Sequence, residues 1–89
     1  MGKRGKLEII RDILKIIQAH HQIKFTPLLR KSNLSSKRFS EYYEEITKKK
    51  FIKEGIDKKG TKKIALTERG MEYLEKYQTI ISFIDEFEL

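Results

Sequence analysis

The sequence predicts a mainly helical α+β domain of four helices and one small β-hairpin. Three observations predict it. Apolar residues recur at helical spacing from Lys6 to Ala19 and again beyond Thr67. Two further amphipathic stretches between Thr26 and Thr47 are punctuated by Pro27 and by Ser32-Asn33. The pattern then changes around Asp57-Lys58-Lys59-Gly60-Thr61, where two short strand-like runs flank a glycine-containing turn. Eighty-nine residues with 38% apolar side chains suffice for one modest core and leave no room for a second independent domain.

In the first helix, Leu7, Ile10, Leu14 and Ile17 form one stripe and Ile9, Ile13 and Ile16 widen it, leaving Arg11, Lys15 and Gln18 on the wet side. His20-His21-Gln22 ends it, and the alternation in Ile23-Lys24-Phe25 predicts one short strand. Thr26 is the expected N-cap of the second helix, with Pro27 in its first turn, where a missing amide donor costs nothing. Leu28 and Leu29 turn inward, and Ser32-Asn33 stops this short helix because asparagine tolerates the left-handed conformation. Ser35 caps the third helix, and Leu34 is placed to staple against Phe39. Arg38 occupies the third position, so the capping box is incomplete. Phe39, Tyr42, Tyr43 and Ile46 form its apolar stripe, opposite Ser36, Lys37, Ser40, Glu41 and Glu44.

Phe51–Ile56 and Lys62–Leu66 are the two strands of the hairpin. Thr67 caps the last helix, with Glu68 and Glu72 near its positive end and Met71, Leu74, Tyr77, Ile80, Ile81, Phe83, Ile84 and Phe87 as its apolar positions. Short helix, tight turn, longer helix and lysine-tipped hairpin, in that order from Thr26 to Thr67, make a winged helix-turn-helix. The expected organisation is a winged-helix DNA-binding unit over 1–67 and a dimerisation helix over 68–89, within one compact domain.

Charge points the same way. The chain carries a net +7. Residues 68–89 hold Arg69 and Lys76 against Glu68, Glu72, Glu75, Asp85, Glu86 and Glu88, a balance of −4, so the first 67 residues carry +11. A basic body suits a polyanion, and an acidic tail suits another task. A surface merely solvated by lysine is the bland alternative. The absence of cysteine excludes disulfides, thiolate metal sites and cysteine nucleophiles. The polar start Met1-Gly2-Lys3-Arg4-Gly5-Lys6 is neither a signal peptide nor a myristoylation site, and no apolar run approaches the roughly 18 residues of a membrane span. Cytoplasmic, nucleoid-associated placement is expected, with no membrane partner and no small-molecule substrate. His20 and His21 are adjacent, point apart and have no distant partner, so no metal and no cofactor are expected. No matched acid and base, phosphate loop or nucleophile elbow is present, so an enzyme is not expected.

A major groove about 12 Å wide admits one α-helix, whose early residues then face base edges. Ser35, Ser36, Lys37, Arg38 and Ser40 occupy those positions in the Ser35 helix. Lys58, Lys59, Lys62 and Lys63 place positive charge on the wing, where it can follow phosphates. Lys48-Lys49-Lys50 either contacts phosphate or serves a helix end whose dipole favours cations. Tyr42 and Tyr43 read as core, with base stacking the alternative.

Leu7-Glu8-Ile9-Ile10, Asn33-Leu34-Ser35, Tyr42, Phe51-Ile52 and Leu66-Thr67-Glu68-Arg69-Gly70 resemble the small archaeal winged-helix DNA-binding proteins. The similarity spans nearly the whole chain, although each motif alone is weak. It implies abundant chromatin-associated dimers or transcriptional regulators, with a C-terminal helix that pairs antiparallel as a coiled coil. This sequence departs from the pattern at Glu45 and Lys50, where the family tends to have an apolar residue and a glycine. Glu41 and Glu44 put negative charge on the reading face. Only about 20 residues follow Thr67, so the dimer interface is compact.

Leu74, Tyr77, Ile80, Ile81, Ile84 and Phe87 form the expected interface of a homodimer bound to double-stranded DNA. The alternative is a winged-helix protein-interaction module that docks a foreign partner on this acidic, apolar helix.

Overall fold

The structure is a computed structural model and describes residues 4–89, so the expectations for Met1, Gly2 and Lys3 lie outside the described residues. Four helices and one hairpin follow in order: α1 (Lys6–His20), α2 (Phe25–Ser32), α3 (Ser36–Lys48), β1 (Ile52–Ile56), β2 (Lys62–Leu66) and α4 (Glu68–Glu86). This is a mainly helical winged helix-turn-helix with an added C-terminal helix.

The core forms around α1, which packs on α2, β2 and α4. Ile9, Ile13, Leu14 and Ile17 are buried on α1 against Leu28 of α2, Phe39 and Ile46 of α3, and Ile64 of β2. The broad α1 stripe supplies this contact because seven apolar residues cover more than one helical face. Two of the seven depart from this: Leu7, in the first turn, lies 59% exposed, and Ile16 is only partly buried.

The strands pair antiparallel, with Ile52 opposite Leu66 and Ile56 opposite Lys62. Ile23 adds only an isolated bridge to Ile64, with backbone hydrogen bonds of 3.0 and 2.8 Å. The strand expected over Ile23–Phe25 therefore shrinks to one residue, because Phe25 joins α2. Its ring meets Phe39 and Tyr43 edge-on at 5.3 and 5.2 Å, which draws the helix start upstream. Lys24, not Thr26, is the N-cap, and no side chain caps this end. Pro27 still costs nothing, because the first intrahelical donor is the Leu28 amide, bonded to the Lys24 carbonyl at 3.2 Å.

Asn33 takes the left-handed conformation (φ 60°, ψ 29°) after α2, and the Ser35 side chain accepts from the Arg38 amide at 3.2 Å. The buried Ser32 hydroxyl ties the turn by donating to Leu29 O at 2.7 Å and accepting from the Leu34 amide at 3.3 Å. The exit of α3 is a Schellman motif: the Lys50 amide bonds Thr47 O and the Phe51 amide bonds Ile46 O, both at 3.0 Å. Lys50 adopts φ 64° there, so it makes the turn that the family tends to give to glycine.

The first half of α4 rests on the body. Tyr73 donates to Leu7 O at 2.8 Å and packs on Phe51 with ring centroids 5.1 Å apart. Beyond Tyr77 the helix projects. The Cα radius of gyration of 14.0 Å exceeds the ~12 Å expected of a compact chain this long, and the long axis reaches 50 Å.

Candidate nucleic-acid interface

The α2–turn–α3 unit presents one face of α3 to solvent. Phe39 and Ile46 are fully buried beneath it, and Tyr43 is half-buried against Phe25. At 100° per residue, the ridge farthest from this buried side is Lys37, Glu41, Glu44 and Lys48, all exposed. Two lysines thus bracket two carboxylates, and the ridge is electrically balanced. Ser36 and Ser40 lie on the flank toward the wing.

Ser35 is committed to the cap, and Arg38 turns the other way, its guanidinium 6.0 Å from the Tyr42 ring centroid. Of the five α3 positions expected at the interface, Ser36, Lys37 and Ser40 face outward on the wing side, while Ser35 and Arg38 also do structural work. On the far flank, Glu45 binds Lys6 at 2.8 Å and Lys49 at 3.8 Å. Its carboxyl is held below the usual range, chiefly by the hydrogen bond from Lys6. An ion pair thus occupies the position where the family tends to have an apolar residue.

The wing is braced at its base and at its tip. The Tyr43 hydroxyl of α3 donates to the Glu54 carboxylate of β1, and Lys62 of β2 lies 3.4 Å from the same carboxylate. That hydrogen bond leads the causes that hold the Glu54 carboxyl low, while burial and then Glu54 push the Tyr43 phenol up. At the tip, Asp57 accepts from the Lys59 and Thr61 amides, each at 2.9 Å, and its own amide bonds Thr61 O at 2.9 Å. The Thr61 amide is the main cause that lowers the Asp57 carboxyl. Gly60 completes the turn with φ 80°.

These contacts divide the four wing lysines. Lys62 pairs with Glu54, and Lys63 lies 3.9 Å from Asp57. Lys58 and Lys59 are exposed at the tip and form no ion pair among the described residues. The brace was not visible in the sequence, because its members are brought together only by strand register and helix docking. A related contact joins α4 to the end of α3: Arg69 donates to Lys49 O at 3.0 Å and lies over the Phe51 ring.

On α4, the six residues expected at a dimer interface fall into two groups. Leu74 packs on the core, and Tyr77 lies under the Arg11 guanidinium, 5.2 Å from its ring centroid. Arg11 is therefore half-buried rather than on the wet side. Ile80, Ile84 and Phe87 are exposed and Ile81 partly so, and Phe83, 54% exposed with its ring 4.8 Å from that of Phe87, extends the same bare surface. No helix among the described residues is long and apolar enough to cross a membrane.

Helix, turn, helix, braced hairpin and C-terminal helix define a class that comparison with known proteins makes explicit. The model of the winged helix-turn-helix family matches residues 3–85, and the chain belongs to that family. Among solved structures it is similar to Sso10a-2, a DNA-binding protein from Sulfolobus solfataricus, with 18% identity and a TM-score of 0.74 over 96% of this chain and 86% of that one. It is also similar to a point mutant of S. aureus MepR bound to an oligodeoxyribonucleotide, with 21% identity and a TM-score of 0.74 over 92% of this chain and 67% of that one. SSV1 F-93 aligns with 21% identity and a TM-score of 0.67 over 98% of this chain and 97% of that one. No curated protein sequence matches.

Proposed function

We propose that this chain is a homodimeric, non-enzymatic DNA-binding protein, a transcription regulator or a chromatin-like architectural protein of the nucleoid. It binds duplex DNA mainly through phosphates, with α3 in the major groove and the 57–63 wing beside it. The observation that carries the reading is the pairing of an exposed α3 face with a wing braced to that same helix and ending in the unpaired cations Lys58 and Lys59. The DNA-binding Sso10a-2 and the DNA-bound MepR mutant, which share the fold, support it.

Phosphate contact dominates because the α3 ridge is balanced, so attraction comes from Lys37, Arg38 and the wing tip. The bare stripe Ile80, Phe83, Ile84 and Phe87 supports pairing of two copies through α4. Leu74, Tyr77 and Ile81 would flank that seam.

Titration of duplex DNA at several salt concentrations tests the reading. If Lys37, Arg38, Lys58 and Lys59 each neutralise one phosphate in both subunits, log affinity falls against log salt with a slope of roughly −7. No binding at low salt, or a slope near zero, refutes DNA binding. Light scattering tests the dimer, and a monodisperse monomer would favour the protein-interaction module instead.

A further inference from the structure

We propose that Ile56 is an apolar DNA contact of the wing, seated against the deoxyribose wall of the minor groove while neighbouring lysines hold phosphates. This rests on the DNA-binding reading above. Ile56 ends β1 and is 70% exposed, more than any other large apolar side chain among the described residues of the winged unit. Strand alternation puts Ile52, Glu54 and Ile56 on one face, across from Leu66, Ile64 and Lys62. Ile52 and Ile64 are buried on that face, and Glu54 on it reaches Tyr43, so it is the face turned toward α3. Ile56 continues this face past the edge of the body, where nothing covers it.

The wing tip cannot fold over Ile56 without losing hydrogen bonds. The Asp57 carboxylate and backbone lock the turn through Lys59 and Thr61, so the tip is already ordered before any partner arrives. The surroundings select the occupant. Lys58 and Lys59 follow after Asp57, whose carboxylate is taken up by the Lys59 and Thr61 amides and lies 3.9 Å from Lys63, and Lys62, opposite Ile56 across the ladder, offsets the Glu54 carboxylate at 3.4 Å. An apolar side chain beside the exposed Lys58 and Lys59, with the neighbouring carboxylates already paired, matches a surface with apolar walls between rows of anions. The minor groove is such a surface, with sugar C–H groups between two lines of phosphate, and apolar side chains on other architectural proteins enter it.

Duplex titrations across salt with wild type, Ile56→Ser, Ile56→Leu and Lys58→Ala with Lys59→Ala test this. A buried apolar contact releases no counterion. Ile56→Ser should therefore lose roughly tenfold in affinity at every salt concentration, on a line parallel to wild type. Ile56→Leu should retain binding. The lysine pair should instead flatten the slope by roughly 2 per subunit. Hydroxyl-radical cleavage of the bound duplex should show minor-groove sugars protected by wild type and exposed with Ile56→Ser. An unchanged melting temperature for Ile56→Ser confirms that the fold is not what moved.

Wild-type affinity of Ile56→Ser at every salt concentration overturns the proposal and leaves Ile56 to a protein partner. A deficit that vanishes as salt rises overturns it as well, because the contact is then electrostatic. If the wild type itself binds no duplex, the DNA-binding reading fails first, and the two failures are distinguishable.

Discussion

Gly70→Ala separates two forces that act in opposite directions. Gly70 lies in the first turn of α4, where intrinsic propensity favours alanine by about 1 kcal/mol. Propensity alone therefore predicts a stabler protein. Packing predicts the reverse: a Cβ at Gly70 would stand 2.3 Å from the Phe51 carbonyl oxygen and 3.2 Å from a Leu66 methyl group. The oxygen is backbone and cannot rotate away. It also accepts the Thr67 amide at 3.1 Å, while the Thr67 side chain caps the Gly70 amide at 3.1 Å and donates to Lys50 O at 2.6 Å. Restoring ordinary contact requires α4 to withdraw by about 1 Å, which strains all three hydrogen bonds. Overpacking of about 1–3 kcal/mol and a weakened hydrogen bond of about 1 kcal/mol outweigh the propensity gain. The expected net loss is about 2 kcal/mol, a fall in Tm of roughly 8–16 °C for a domain of this size. Thermal and urea unfolding followed by circular dichroism at fixed protein concentration measures it. An equally stable or stabler variant would refute the close approach of α4 to Phe51.

Lys50 should respond in the opposite sense. Lys50→Gly relieves a left-handed lysine at φ 64° and should raise stability by about 1 kcal/mol, whereas Lys50→Ala, which keeps the Cβ, should not. Equal effects of the two substitutions in unfolding experiments would show that charge, not backbone conformation, governs the site. The alkaline limb tests the seat of α4. Burial, with the nearby Tyr77 adding to it, raises the Tyr73 phenol to about 12 from its ordinary 10.0. The unfolded chain therefore ionises first, so this contribution is full below about pH 10 and is lost between there and about pH 12. Tyr73→Phe should flatten that limb of the stability–pH curve, and an unaltered limb would contradict the burial of the phenol.

Features governed by neighbours in sequence were legible, and features governed by docking were not. Asn33 and Ser35 obey local rules, because a left-handed turn and an N-cap involve only a few consecutive residues. The Thr26 cap failed through the same rules: proline is free of cost anywhere in the first turn, and the contact of Phe25 with Phe39 and Tyr43 decided where that turn begins. The hairpin and its lysines were evident from pattern. The pairing of Lys62 with Glu54 depends on register and on Tyr43 arriving from α3, neither of which periodicity reports. At Lys50 the family tends to have glycine, and the positive φ of that turn supplies the physical reason.

Charge and shape together constrain how such a molecule meets a polyanion. Asp85, Glu86 and Glu88 stand at the far end of the projecting α4, within a tail that carries −4, while the remainder carries +11. A duplex approaching the tail is repelled, and one approaching the wing tip is attracted, so the long-range field orients the encounter before any contact forms. In the proposed reading, keeping DNA off α4 leaves its apolar stripe free for a second copy. The direction of α4 is in turn set by the Gly70 approach, the Tyr73 hydrogen bond and the stacking of Arg11 on Tyr77. In the dimeric reading, those contacts transmit to the spacing of the two wings. A change that tilts α4 should therefore weaken two-site binding more than it weakens the attraction of either subunit for phosphate.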